Sequence, residues 1–136
     1  MGRRTCDGAP DPDGYAADFE YQVPIVVLTS HPPAVRPARD DRLSITFAGD
    51  LGEAVATARE PAGDRAVTVV GGAQLNRQLL DAGLADELRV DVVPVLLGGG
   101  LRLFDGVAPA RLEELGVDDV GQRTSMRFRV LAPAEG

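Results

Sequence analysis

The stretch AVTVV at 66–70 runs straight into Gly71-Gly72 and then into AQLNRQLLDA at 73–82. No other feature of the chain limits its fold as much. A β-branched apolar run predicts a strand buried on both faces, the pattern of a parallel strand covered by helices. After it, Leu75 and Leu79 are spaced for one inward helical face, and Gly83 is placed as a C-terminal stop. A strand handed to a helix through two glycines is an α/β unit.

The remaining segments extend that unit. Residues 7–22 are rich in Asp, Gly and Pro and read as loop. Val23–Ser30 (VPIVVLTS) predicts a second buried strand, and Leu43–Phe47 alternates apolar and hydroxyl residues as a half-buried one does. Between them HPPAVRPARDDR holds three prolines and five charges, a surface connection. Asp50 with Glu53 is a capping-box variant, Leu51, Ala54, Val55 and Ala58 share one helical face, and Pro61-Ala62-Gly63 ends that helix. Leu88–Leu97 predicts a long strand, Arg89 and Asp91 outward, with Pro94 marking a bulge or an edge. Gly98–Gly100 is a turn and Leu101–Phe104 a short apolar piece. Arg111–Val120 and Thr124–Leu131 read as a closing hairpin, in which Met126, Phe128 and Val130 alternate with Arg127 and Arg129. The order predicts one α/β domain over residues 1–136, its mixed sheet parallel at the centre and antiparallel at the end.

Composition narrows the function. With 14 basic against 21 acidic residues the net charge is −7, so neither nucleic acid nor an anionic membrane is the expected partner. Every basic residue is Arg, which removes Schiff-base and P-loop lysine chemistry. His31 is the one histidine and Cys6 the one cysteine, so a two-His metal site and an internal disulfide are both excluded; no metal is expected. Without an apolar run near the ~18 residues a span needs, a cytoplasmic protein acting on a small molecule is the default.

Three segments could hold an anion. Gly71-Gly72 leads onto a helix N-terminus, where backbone N–H groups and the helix dipole favour phosphate. Gly2-Arg3-Arg4-Thr5 offers two guanidinium groups and a hydroxyl. Thr29-Ser30 closes a predicted strand, where ligands of open α/β sheets bind. Each has a plain structural alternative: a strand-to-helix turn, solvated surface charges, and turn residues at a strand end. His31, before two prolines, reads as a surface residue.

Taken together, MGRRT, VVLTS, VVGGAQLNRQLLDAGLADELRVDVVPVLLGGGLRLF and TSMRFRV resemble the dihydrofolate reductase-like superfamily. Within it they resemble the reductase domain of bacterial riboflavin biosynthesis. The resemblance follows the chain in order, and its most specific block is Val67–Phe104. It implies an oxidoreductase that takes a hydride from NADPH and reduces a small heterocyclic or aminopyrimidine-type substrate. It further implies that Gly2, Arg3, Arg4 and Thr5 reach the adenosine 2′-phosphate and the pyrophosphate, and that Leu28, Thr29 and Ser30 line the adenosine side. Gly71, Gly72, Ala73, Gln74 and Leu75 would hold the pyrophosphate and ribose, with a cis Gly–Gly bond that costs ~3 kcal/mol. Cys6 would fill an aromatic position, and a homodimer is compatible with the family. No residue stands out as proton donor.

Two departures bear on activity. The riboflavin-pathway reductases carry Glu immediately before the Gly-Gly pair, where this chain has Val70. Met1 looks like the last residue of a strand, so the resemblance leads one to expect earlier strands and a start assigned at an internal Met. The alternative to a working reductase is an inactive fragment, or a nucleotide-binding or oligomerisation module.

Overall fold

The β-branched runs at Val23–Ser30 and Leu43–Phe47 each yield a four-residue strand, β1 at Ile25–Leu28 and β2 at Ile45–Ala48. They pair in parallel, Ile25 opposite Ile45 and Leu28 opposite Ala48. The computed structural model describes residues 1–7, 22–34 and 42–131, which fall into two compact units, Met1–Asn76 and Arg77–Gly136. Most of the two connections read as loop above, at 8–21 and 35–41, lies outside the described residues.

In the first unit the core is Ile25, Val27, Leu43 and Ile45, with Met1, Cys6 and Phe47 packed against it. Cys6 therefore serves packing, as its position suggested. Along β1 only Ile25 and Val27 are buried, while Val26 and Leu28 are half-buried, so the strand is covered well on one face rather than on both. On its far edge the Met1 amino group donates to Val26 O at 2.6 Å and Leu28 N–H donates to Met1 O at 2.9 Å. Gly2 bridges Leu28 in parallel. The strand-like character expected of Met1 is thus present as a two-residue pairing. Helix α1, Arg3–Asp7, follows at once.

Helix α2 spans Leu51–Ala62. Its start is the predicted capping arrangement: Asp50 Oδ1 accepts from Glu53 N–H at 2.9 Å, and Glu53 Oε2 reaches back to Gly49 N–H at 2.9 Å. Pro61 sits in the last turn, Gly63 closes the helix at φ 57°, and the Arg65 side chain donates to the carbonyls of Pro61 and Ala62. The apolar face is only half-buried, so the cap carries much of what holds this helix. Asp50→Ala is expected to lower stability by about 1 kcal/mol, read as a shift in the urea midpoint at unchanged slope; an unshifted midpoint would contradict the capping role.

Residues 66–70 correct the sequence reading. They form no strand, and Val67 and Val69 are 42% and 39% exposed. A β-branched run favours extended backbone, but only a neighbouring ladder makes a strand of it. Here β1 is flanked by Met1–Gly2 on one side and β2 on the other, so the run has no place beside it. Helix α3, Ala73–Asp81, follows as predicted, with Leu75 and Leu79 buried. Gly83 ends it at φ 65°: its N–H donates to Leu80 O at 3.1 Å and Leu84 N–H donates to Leu79 O at 2.9 Å, the paired bonds of a Schellman motif.

The second unit holds β3 at Glu87–Val92, β4 at Arg111–Asp119 and β5 at Thr124–Leu131, an antiparallel sheet ordered β3-β5-β4. The predicted closing hairpin is β4–β5, with an irregularity between Glu114 and Gly116. The long strand predicted over Leu88–Leu97 stops at Val92, because Val92 pairs with Thr124, where β5 begins. Pro94 lies beyond the strand and offers no N–H to extend it. Val95 and Leu96 are consequently exposed, at 60% and 102%.

Ser125, 2% exposed, is the buried polar centre of this sheet among the described residues. It accepts from Arg89 Nε at 2.9 Å and faces Asp91 across the strands. Its hydrogen bond holds the Asp91 carboxyl below the usual carboxylate range; desolvation opposes this, and Arg89 and Arg123 add to the lowering. Because the folded value lies below the unfolded one, the stabilisation is full above the usual carboxylate range and fades as pH falls through the lowered value. Urea midpoints measured from pH 5 downward are expected to fall more steeply for the wild-type chain than for Asp91→Asn. Parallel curves would contradict this role.

Candidate functional site

All three predicted segments lie in the first unit. The parallel pairing of Met1–Gly2 with β1 brings the start of α1 to the carboxyl end of β1, the end at which open α/β sheets take ligands. There Arg3 donates from one guanidinium nitrogen to His31 O at 2.9 Å. The turn it grips is built from hydroxyls: His31 N–H donates to Thr29 Oγ1 at 3.1 Å, and Ser30 Oγ lies 2.8 Å from His31 Nδ1. Thr29 N–H donates in turn to Ala48 O at 2.9 Å, which ties the turn to β2.

Thr5 carries the connection onward. A Cβ placed on Gly71 would lie 3.6 Å from Thr5 Oγ1, and one on Gly72 would lie 3.8 Å from it. The first helix therefore touches the strand-end turn through Arg3 and approaches the glycine pair through Thr5. Gly71 has φ 61°, a left-handed value that favours glycine. The Gly71–Gly72 peptide is trans, not the cis bond that the resemblance implied. Asn76 N–H donates to Gly72 O at 3.1 Å, the first bond of α3. Gly72 thus stands at the N-cap without a side chain, and the N–H groups of Ala73, Gln74 and Leu75 precede that first bond.

The residues contribute differently. Arg4 and Gln74 are exposed, and Leu28 and Thr29 are half-buried. Leu75 is 8% exposed and spends its side chain on packing, so only its backbone is available to a ligand. Arg3 and Arg4 bring two positive charges to a chain whose net charge is −7, and none of the named site residues is acidic. The arrangement suits an extended anion: guanidinium groups and hydroxyls at one end, a helix N-terminus led by glycine at the other. His31, read from sequence as surface, is exposed yet sits inside this arrangement. The signal available for it was its place directly after Thr29-Ser30.

Elsewhere, an open hollow of ≈ 280 Å³ lies at the β4–β5 turn, lined by Val92, Pro94, Asp119, Arg123 and Thr124 among others. It contains none of the predicted residues. No cluster of metal-ligating side chains occurs among the described residues. No helix among them is long and apolar enough to cross a membrane.

A parallel strand pair, a helix begun by Gly71-Gly72 and an antiparallel sheet make this a mixed α/β protein. Solved structures share the arrangement. One, from Shewanella sp. PV-4 and assigned provisionally to riboflavin biosynthesis, superposes with a TM-score of 0.73 at 22% identity, over 97% of this chain and 72% of its own. The riboflavin biosynthesis reductase Rib7 of Saccharomyces cerevisiae superposes with a TM-score of 0.56 at 16% identity, over 81% of this chain and 57% of its own. The family described as RibD C-terminal domain matches residues 14–126, and the chain belongs to that family. The matched range includes Leu28–Ser30 and Gly71–Leu75 but not Gly2–Thr5. No curated protein matches.

Proposed function

We propose that this chain binds NADPH and serves the reduction of a small heterocyclic or aminopyrimidine-type substrate. The observation that carries the reading is the convergence of three segments, separated widely in sequence, on Thr5 and His31. Family membership supports the reaction class, and the convergence supports a cofactor site in this unit. The fit is tested at Gly72, which begins α3 without a side chain, so that a pyrophosphate there would meet backbone and the Thr5 hydroxyl rather than a Cβ. When bound, the cofactor supplies a hydride. The chain's own part is binding and orientation. Arg3, Arg4 and the Thr29-Ser30 hydroxyls would hold the adenosine end, and the backbone of Gly72–Leu75 would hold the pyrophosphate.

Val70, half-buried beside Gly71, stands where the pathway reductases carry a carboxylate. This disfavours the riboflavin-pathway intermediate itself as substrate, since a polar ring would lose an ionic hydrogen-bond partner. A second reading, cofactor binding without turnover, is favoured by the run at 66–70, exposed over 66–69 and paired with no strand among the described residues. NADPH absorbance followed with a panel of aminopyrimidines and cyclic imines decides between them. Substrate-dependent oxidation is the expected result; tight binding with no oxidation across the panel would leave the non-catalytic module.

A further inference from the structure

We infer that residues 93–104 form a strap that closes over the apolar face of the second unit's sheet, so that this unit has an open and a closed form. Two apolar surfaces of the unit lack cover. The first is the sheet. Val90, Met126 and Val117 share one row across its three strands, and Leu88 with Phe128 belongs to the next row on that face. None of the five is buried, and Val117 is 51% exposed. A sheet with an apolar face needs a second layer, and among the described residues no element of this unit packs across it. The second surface is the strap, exposed throughout 93–102, with Leu97 and Leu101 at 80% and 92%.

The strap is tethered at both ends and loose between them. Its start is fixed by the pairing of Val92 with Thr124. Its end is fixed to α3: Arg77 donates to Asp105 O at 2.8 Å, and Asp81 Oδ1 accepts from Ala108 N–H at 3.1 Å. In the middle, Gly98 and Gly100 have φ of 69° and 155°, and a Cβ on any of Gly98–Gly100 would meet nothing within 4 Å. Such residues absorb the backbone change of a hinge. Twelve residues reach roughly 40 Å when extended, and an eight-residue strand such as β5 runs about 27 Å. The leucines can therefore cover the face with both tethers intact.

The tethers also decide what covers the face. A segment held at both ends meets its own sheet at an effective concentration on the order of mM. A second copy must come from solution, and would leave its own strap in water. The two surfaces are moreover continuous, because Val92 follows Val90 on the same face and leads directly into the strap. Closure removes the exposed leucines from water, which is the driving force.

Trypsin cleavage of the full chain at Arg102, inside the strap, reads the open form, since a protease cuts what is transiently open. Leu97→Ser on the strap and Val117→Asp on the face are each expected to speed that cleavage about tenfold. Asp118→Asn, on the opposite face of the sheet, is expected to leave it unchanged. Cleavage at Arg127, inside β5, reports whether the sheet itself stays folded. Should Val117→Asp open the sheet, Leu97→Ser, which lies outside every strand, decides alone. Equal cleavage at Arg102 in the wild type and Leu97→Ser would overturn the inference. Protection of Arg102 that grows as the chain is concentrated would also overturn it, by giving the face to a second copy.

Discussion

Gly72→Val is expected to abolish NADPH binding while leaving the chain folded. The two halves of that result come from different observations. A Cβ at Gly72 meets Thr5 Oγ1 at 3.8 Å, an ordinary contact, and the residue does not have the left-handed backbone of Gly71. The fold can therefore take the side chain, at a cost near 1 kcal/mol for replacing a tolerated N-cap residue by a β-branched one. A pyrophosphate cannot take it, because its oxygens must come within hydrogen-bond distance of the N–H groups that begin α3. Loss of those bonds is expected to weaken binding by at least ~100-fold, or ~2.7 kcal/mol. Calorimetry and a urea titration on the same sample separate the two halves. Wild-type affinity in Gly72→Val would leave the glycine pair as a plain turn at the start of α3. Gly71→Val would be a poorer probe, since φ 61° strains any side chain there whether or not a ligand binds.

The second large effect concerns charge. Replacing Arg3 and Arg4 together by Ala is expected to weaken NADPH roughly 30-fold or more beyond any change for NADH. A charge-assisted hydrogen bond contributes about 1.5–3 kcal/mol, and the two cofactors differ only in the phosphate that would receive it. Arg3 has a second task, since its bond to His31 O holds the strand-end turn. A single Arg3→Ala change is therefore expected to affect both cofactors somewhat, whereas Arg4→Ala, at an exposed position, is expected to act on NADPH alone. Equal losses for the two cofactors in the double variant would remove the 2′-phosphate assignment and leave the arginines as solvated charges.

Local structure was legible where the deciding interactions are local. Asp50 and Glu53 cap a helix through bonds spanning three and four residues, and Gly83 closes one within five. The β4–β5 hairpin follows from alternation and a short turn. The failures are cases where a strand depends on a partner. The run at 66–70 has strand composition but no neighbour, and the stretch after Val92 loses its neighbour where β5 begins at Thr124. Periodicity cannot report a missing partner. The parallel pairing of Met1–Gly2 with β1 had no signal in the sequence; the resemblance implied only that Met1 ends a strand and that Gly2–Thr5 and Gly71-Gly72 serve one cofactor. His31 carries no sequence signal for a related reason: its contact with Arg3 spans 28 positions, and an exposed side chain has no periodic signature.

If the first-unit cluster is a dinucleotide site with a preference set by the ribose phosphate, the most direct measurement is a fluorescence titration of the purified 136-residue chain with NADPH, with NADH as control. Saturable binding that favours NADPH is the result expected from two arginines, a hydroxyl turn and a glycine-led helix N-terminus brought together. Absence of saturable binding to either cofactor, by a chain shown to be folded, would contradict it.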